Sequence, residues 1–143
     1  MLVDGRVILD TNVVSETMRQ DPDPRVMSWL DAQEADTLFL TTVAVAELGF
    51  GIAALPPGRR RAQLEAFLRE VVERFHERIL PFDLAAADQY ARLAARARAL
   101  GRGFPLPDAY VAAIAAAHGC TVASRDQAPF VAAGVSVVDP WRA

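Results

Sequence analysis

Apolar residues recur along this chain in two rhythms. Short runs bounded by turn formers predict buried strands at Arg6–Leu9, Thr37–Thr41, Arg78–Phe82, Cys120–Ser124 and Val135–Val138. Between them the apolar positions fall at helical spacing. Val26, Trp29 and Leu30 mark one face of a short helix after the Asp21-Pro22-Asp23-Pro24 turn. A helix over Thr42–Leu55, capped by Thr41 or Thr42, ends at Pro56-Pro57-Gly58. Leu64, Phe67, Leu68, Val71, Val72 and Phe75 line a long amphipathic helix over Arg59–Glu77. Asp83 caps a helix over Leu84–Leu100, closed by Gly101 and Gly103, and Gly119 stops another over Asp108–His118. Ala128–Ala133 adds one helical turn or two.

Strands alternating with helices predict an α/β fold with a parallel sheet covered on both faces. With 143 residues and no repeat or linker, the expectation is one domain spanning 1–143. The strand Arg6–Leu9 stops abruptly at Asp10-Thr11-Asn12. In an open α/β sheet, ligands bind beyond the carboxyl ends of the strands, which is where this acid falls.

Composition narrows the choices. The formal net charge is −3, so no global basic field draws in nucleic acid. All fifteen basic residues are Arg, which removes every chemistry that needs a lysine. A lone Cys120 forms no internal disulfide, and Asp4 and Arg6 break up any leader-like start; both fit a cytoplasmic protein. No uncharged stretch approaches the ~20 residues of a membrane span. Apolar residues make up 52%, high enough to suggest a surface covered by a partner.

Four carboxylates stand in apolar company. Asp10 lies between Val7-Ile8-Leu9 and Val13-Val14. Glu47 is the only charge between Thr42 and Leu55, on a helix face shared with the small residues Ala44 and Gly51. Asp108 is the only charge between Gly103 and Ala117, and Asp126 follows the strand that ends at Ser124. In a parallel sheet all four gather near the carboxyl edge, and such a group repels itself unless a cation occupies it. Hard oxygen ligands without His or Cys suit Mg²⁺ or Mn²⁺. Taken singly, Asp10, Asp108 and Asp126 also read as turn or helix-start residues. Glu47 has no Arg three or four residues away to pair with.

Val7-Ile8-Leu9-Asp10-Thr11-Asn12, Ala46-Glu47-Leu48 with Gly51, Gly103–Asp108 with Ala112-Ala113, His118-Gly119, Ser124-Arg125-Asp126 and the Asp139-Pro140-Trp141 ending resemble PIN-domain proteins, specifically ribonuclease toxins of the VapC and FitB type. The resemblance covers nearly the whole chain. It implies a three-layer α/β/α fold around about five short parallel strands. It further implies a metal-dependent endoribonuclease, acting on tRNA or other structured RNA. Such proteins form homodimers and are held inactive by a small cognate antitoxin. By motif, Asp10, Glu47 and Asp108 would be the metal ligands, with Asp126 completing the catalytic acidic group. Thr11, Asn12 and Ser124 would order the site by hydrogen bonds. The family often has Thr-Arg-Asn with an Asp three residues after the Asn; here Asp126 takes the Asn place and Pro129 that of the later Asp.

Arg92, Arg96, Arg98 and Arg102 lead into the Asp108 helix and are candidate RNA contacts, whereas Arg59-Arg60-Arg61 reads as a solvated helix start. A phosphatase of the haloacid-dehalogenase type would need a second Asp where Asn12 stands, and a Lys; receiver domains and P-loop NTPases fail similarly. The remaining alternative is a catalytically inactive PIN-fold module that binds RNA or a partner.

Overall fold

Residues 2–143 are described by a computed structural model. Five parallel strands, β1 (Val7–Leu9), β2 (Leu38–Thr41), β3 (Ile79–Leu80), β4 (Thr121–Ala123) and β5 (Val137–Val138), form one sheet in the order β3-β2-β1-β4-β5. Val7 is in register with Leu38 on one side and Thr121 on the other, so β1 is the centre. The chain winds outward through β2 to β3, then returns to lay β4 beside β1 and β5 beyond it. The winding reverses between β1 and β4, and a crevice opens at the carboxyl ends of strands flanking such a reversal.

Seven helices cover the two faces: α1 (Thr11–Thr17), α2 (Pro24–Ala32), α3 (Thr42–Ala53), α4 (Arg59–Arg74), α5 (Leu84–Ala99), α6 (Leu106–His118) and α7 (Ala128–Ala132). Alternation along β1 divides the core between them. Val7 and Leu9 face one layer, packed with Val13, Val14, Trp29 and Leu48 from α1, α2 and α3. Ile8 faces the other, packed with Val111, Ile114 and Phe130 from α6 and α7. Five consecutive residues of α6, Val111–Ala115, are buried. The three alanines among them, Ala112, Ala113 and Ala115, let the helix pack closely against its neighbours.

The anticipated caps hold. Thr41 accepts from the Ala44 N–H over 3.1 Å, and Asp83 from the Ala86 N–H over 3.0 Å. Gly119 ends α6 with φ of 65°, a left-handed conformation that disfavours any side chain. Three differences from the predicted elements have physical causes. Helix α1 was not anticipated: Thr11, Val13 and Val14 are β-branched and weak helix formers, yet Asp10 caps the helix and Val13, Val14 and Met18 are buried along it. Helix α6 begins two residues early because Pro107 is pre-set for a first helical turn. Helix α4 stops at Arg74 and a 3₁₀ turn, His76–Arg78, completes the path to β3.

Candidate metal and nucleic-acid site

The crevice between β1 and β4 is built from the residues that end those strands. Asp10 caps α1, accepting from the Thr11 N–H over 2.9 Å. Its second oxygen accepts from Ser124 Oγ, 2.8 Å away at the end of β4. Asn12 Nδ2 donates to the same hydroxyl over 3.1 Å, and Asn12 Oδ1 accepts from the Arg125 N–H. The Asp126 N–H also donates to Ser124 Oγ, over 3.1 Å, which fixes the turn carrying the fourth acid. Glu47, one turn into α3, accepts from Thr11 Oγ1 over 2.7 Å. Thr11 thus links Asp10 to Glu47, and Ser124 links Asp10 to Asn12 and to the Asp126 backbone; Asp108 takes no part in these bonds.

The electrostatics join the four acids. Burial raises the Asp10 carboxyl above its usual range; the Ser124 and Thr11 bonds oppose this, while the charges of Glu47 and Asp126 add to it. Asp108, in the first turn of α6, is pushed up to about 6, first by burial and then by the charges of Asp10, Asp126 and Glu47. Among the described residues, none of the four pairs with an arginine or histidine.

The four differ in burial. Asp10 is buried, whereas Glu47 and Asp108 are half-buried. Asp126 is exposed, because it lies in the turn leaving β4 and not within an apolar layer. Pro129, where the family pattern often has an Asp, opens α7 and brings no carboxylate. Among the described residues, no three His, Cys, Asp or Glu side chains stand close enough to form a ready ligand set. The donors are carboxylate oxygens with no Cys or His among them. That chemistry fits a hard cation such as Mg²⁺, which commonly keeps several waters and takes one or two carboxylates.

A fifth acid, Glu16, does not stand out in the pattern of apolar and charged positions. It is 6% exposed and accepts from the Asp23 N–H over 2.9 Å, with Arg19 at 3.3 Å. It braces the passage from α1 to α2. Its signal was its position one turn after Val13, visible only once α1 is recognised.

The arginines divide. Arg92 is held by Asp88 on its own helix at 3.1 Å, while Arg96 and Arg102 border a shallow notch with Pro129. Arg98, also exposed, lies in the last turn of α5. None of the four is ion-paired with the acidic group among the described residues. The Arg59-Arg60-Arg61 run opens α4 with Arg59 and Arg60 exposed and Arg61 half-buried; Arg60 also donates to the Met18 carbonyl and Arg61 to Glu65 and the Leu55 carbonyl.

The family model described as "PIN domain" matches residues 7–134, nearly all of the chain. The chain belongs to the PIN-domain family. Within it the likeness is to the VapC and FitB type. "VapC ribonuclease Y4jK" of Sinorhizobium fredii is 47% identical over 136 residues, covering 94% of this chain and 97% of the relative. "Toxin FitB" of Neisseria gonorrhoeae is 40% identical over 136 residues, covering 94% and 98%. The crystal structure of FitAcB from Neisseria gonorrhoeae superposes on this PIN domain with a TM-score of 0.91 at 40% identity, covering 96% of this chain and 99% of that one.

Proposed function

We propose that this PIN domain is a divalent-metal-dependent endoribonuclease, the toxin of a type II toxin–antitoxin pair, hydrolysing phosphodiester bonds in tRNA or another structured RNA. One observation carries the reading: at the sheet's carboxyl edge burial and the charges of Glu47 and Asp126 raise the carboxyls of Asp10 and Asp108, and no protein cation pairs with any of the four among the described residues. The similarity to a protein named VapC ribonuclease supports the same chemistry.

Asp10, Glu47 and Asp108 would hold Mg²⁺ or Mn²⁺, with Asp126 at the exposed rim. The chemistry supplied by such an ion when bound is Lewis acidity toward water and toward a phosphodiester. The bonds from Ser124 and the Thr11 N–H favour the charged form of Asp10 against its burial and aim the carboxylate. Thr11 Oγ1 fixes one oxygen of Glu47 and leaves the other available. Arg96, Arg98 and Arg102 supply positive charge for an RNA strand, with Arg92 partly committed to Asp88.

Two surfaces support partners. No residue of α4 is fully buried, although it carries five large apolar residues at helical spacing, of which Leu64, Leu68 and Val71 pack partly against the core. Grooves of about 760 and 520 Å³ run beside it, lined by Leu68 and Val72 on one side and by Phe67 and Val71 on the other. An apolar segment of a cognate antitoxin suits these grooves, and the similarity to "Toxin FitB" and to the FitAcB structure supports that partner. Phe50 and Leu84, 78% and 87% exposed, support a homodimer. No helix among the described residues is long and apolar enough to cross a membrane, and the cytoplasm is the proposed location.

Purified protein free of any antitoxin should cut RNA with Mg²⁺ or Mn²⁺ and not with EDTA. Asp10→Asn and Asp108→Asn should each abolish cutting, and wild-type rates in both variants would refute the assignment. The second reading, an inactive RNA- or partner-binding module, is favoured by Pro129 alone. It predicts RNA binding without cleavage under every metal condition.

A further inference from the structure

The turn after β4 holds a cation that the acidic group does not use. Ser124 is fully buried and bonded to Asp10, whereas the next residue, Arg125, is exposed. The Arg125 guanidinium carbon lies 4.3 Å from the centroid of the Trp141 ring. Trp141 is itself only 4% exposed, and its backbone N–H donates to Asp139 Oδ1 over 2.9 Å. The backbone of Arg125 is also fixed, by its N–H to Asn12 Oδ1 at 3.3 Å.

Both ends of this residue are therefore held, its backbone by an asparagine of the site and its head by a buried indole. An arginine stacked in this way keeps its N–H edges free and loses little rotamer freedom when they bind. Other exposed arginines beside acids are spent on them: Arg19 on Glu16, Arg25 on Asp23, Arg92 on Asp88. Arg125 forms no ion pair among the described residues, although Asp126 is its neighbour and Asp23 is close enough to feel its charge.

An acidic centre repels a polyanionic strand, so a fixed cation at its rim meets a specific need. We infer that Arg125, shelved on Trp141, binds one phosphodiester group of the RNA strand at the edge of the carboxylate site. The inference rests on the nuclease reading for its substrate class. It assigns to the turn after β4 a substrate-anchoring role separate from that of the α5 arginines.

The test uses the full chain and a labelled tRNA in EDTA, with binding followed by fluorescence anisotropy. The affinity is measured for wild type, Arg125→Gln and Arg125→Lys between about 50 and 200 mM salt. Arg125→Gln should weaken binding roughly tenfold and flatten the slope of log K against log salt by about 0.7 to 0.9, the value of one lost phosphate contact. Arg125→Lys should keep the wild-type slope with intermediate affinity, because it keeps the charge and loses the planar fork. A wild-type slope and affinity in Arg125→Gln would overturn the inference, and so would weaker binding with an unchanged slope and a lowered melting temperature, the mark of a brace for Trp141. Cleavage with Mg²⁺ or Mn²⁺, run in parallel, separates the two readings. A protein that binds with the expected slopes but never cuts removes the nuclease reading and leaves the phosphate contact. One that cuts, with the Arg125→Gln slope unchanged, removes only the contact. If the wild-type protein binds no RNA, both fall.

Discussion

Ser124 Oγ donates to Asp10 Oδ2 over 2.8 Å, and this bond ties the carboxyl end of β4 to that of β1. The two residues are 114 positions apart in the chain, yet they meet where the winding of the sheet reverses. The same hydroxyl accepts from Asn12 and from the Asp126 N–H, so one oxygen orders three of the residues around the crevice.

Ser124→Ala is the direct test of that role. It removes a donor that favours the charged form of Asp10, so the Asp10 carboxyl should rise further above its usual range. Metal binding should then weaken, with its pH midpoint moved upward relative to wild type. Stability should fall by about 1–3 kcal/mol, the usual result of leaving buried polar groups unpaired, as read by urea denaturation.

Asp108 sets a pH dependence of stability. Its carboxyl titrates at about 6 in the folded protein, against 3.8 for an ordinary aspartate. Between those values the folded state binds more protons than the unfolded one, so stability declines as pH rises through the interval and stays lower above it. Asp108→Asn removes the penalty. In EDTA its melting temperature should exceed that of wild type above pH 6, and the difference should vanish below the ordinary aspartate value. Adding Mn²⁺ should raise the melting temperature of wild type and not of the variant.

Two glycines should respond in opposite directions to alanine. Gly119 adopts φ of 65° at the end of α6, and an added Cβ would meet no neighbour within 4 Å. The effect is therefore backbone strain alone, and Gly119→Ala should destabilise the fold by about 1–2 kcal/mol. Gly51 lies within α3, and its added Cβ also meets nothing within 4 Å. Gly51→Ala should stabilise by about 0.5–1 kcal/mol through helix propensity. Thermal or chemical denaturation of the two variants decides both signs.

Phe130 is fully buried and anchors α7 behind the turn that carries Arg125 and Asp126. Phe130→Ala should cost about 3–5 kcal/mol of stability. Hydrogen exchange should show the turn from Ser124 to Gln127 losing protection before the sheet does.

Most of this architecture was legible in the chain because its signals are local. The strand β1 ends in a charge, Thr41 and Asp83 are cap residues, and Gly119 is a helix stop; each says the same in isolation as in the fold. Asp10, Glu47 and Asp108 could be singled out because each is a charge without an apparent partner in apolar sequence. Burial was harder to read. Asp126 follows an apolar strand but leaves it in an exposed turn, whereas Glu16 is buried by a helix whose β-branched residues conceal it. The shelf under Arg125 was also hidden, since Trp141 reaches it only through tertiary packing.

On the proposed reading, the carboxylates at the β1–β4 crevice hold a divalent cation. Isothermal titration of Mn²⁺ into the metal-free protein at neutral pH tests it most directly, with Asp10→Asn/Asp108→Asn as the comparison. The account predicts saturable binding to wild type and none to the folded double variant. Equal binding by both proteins, or none by wild type, would contradict it.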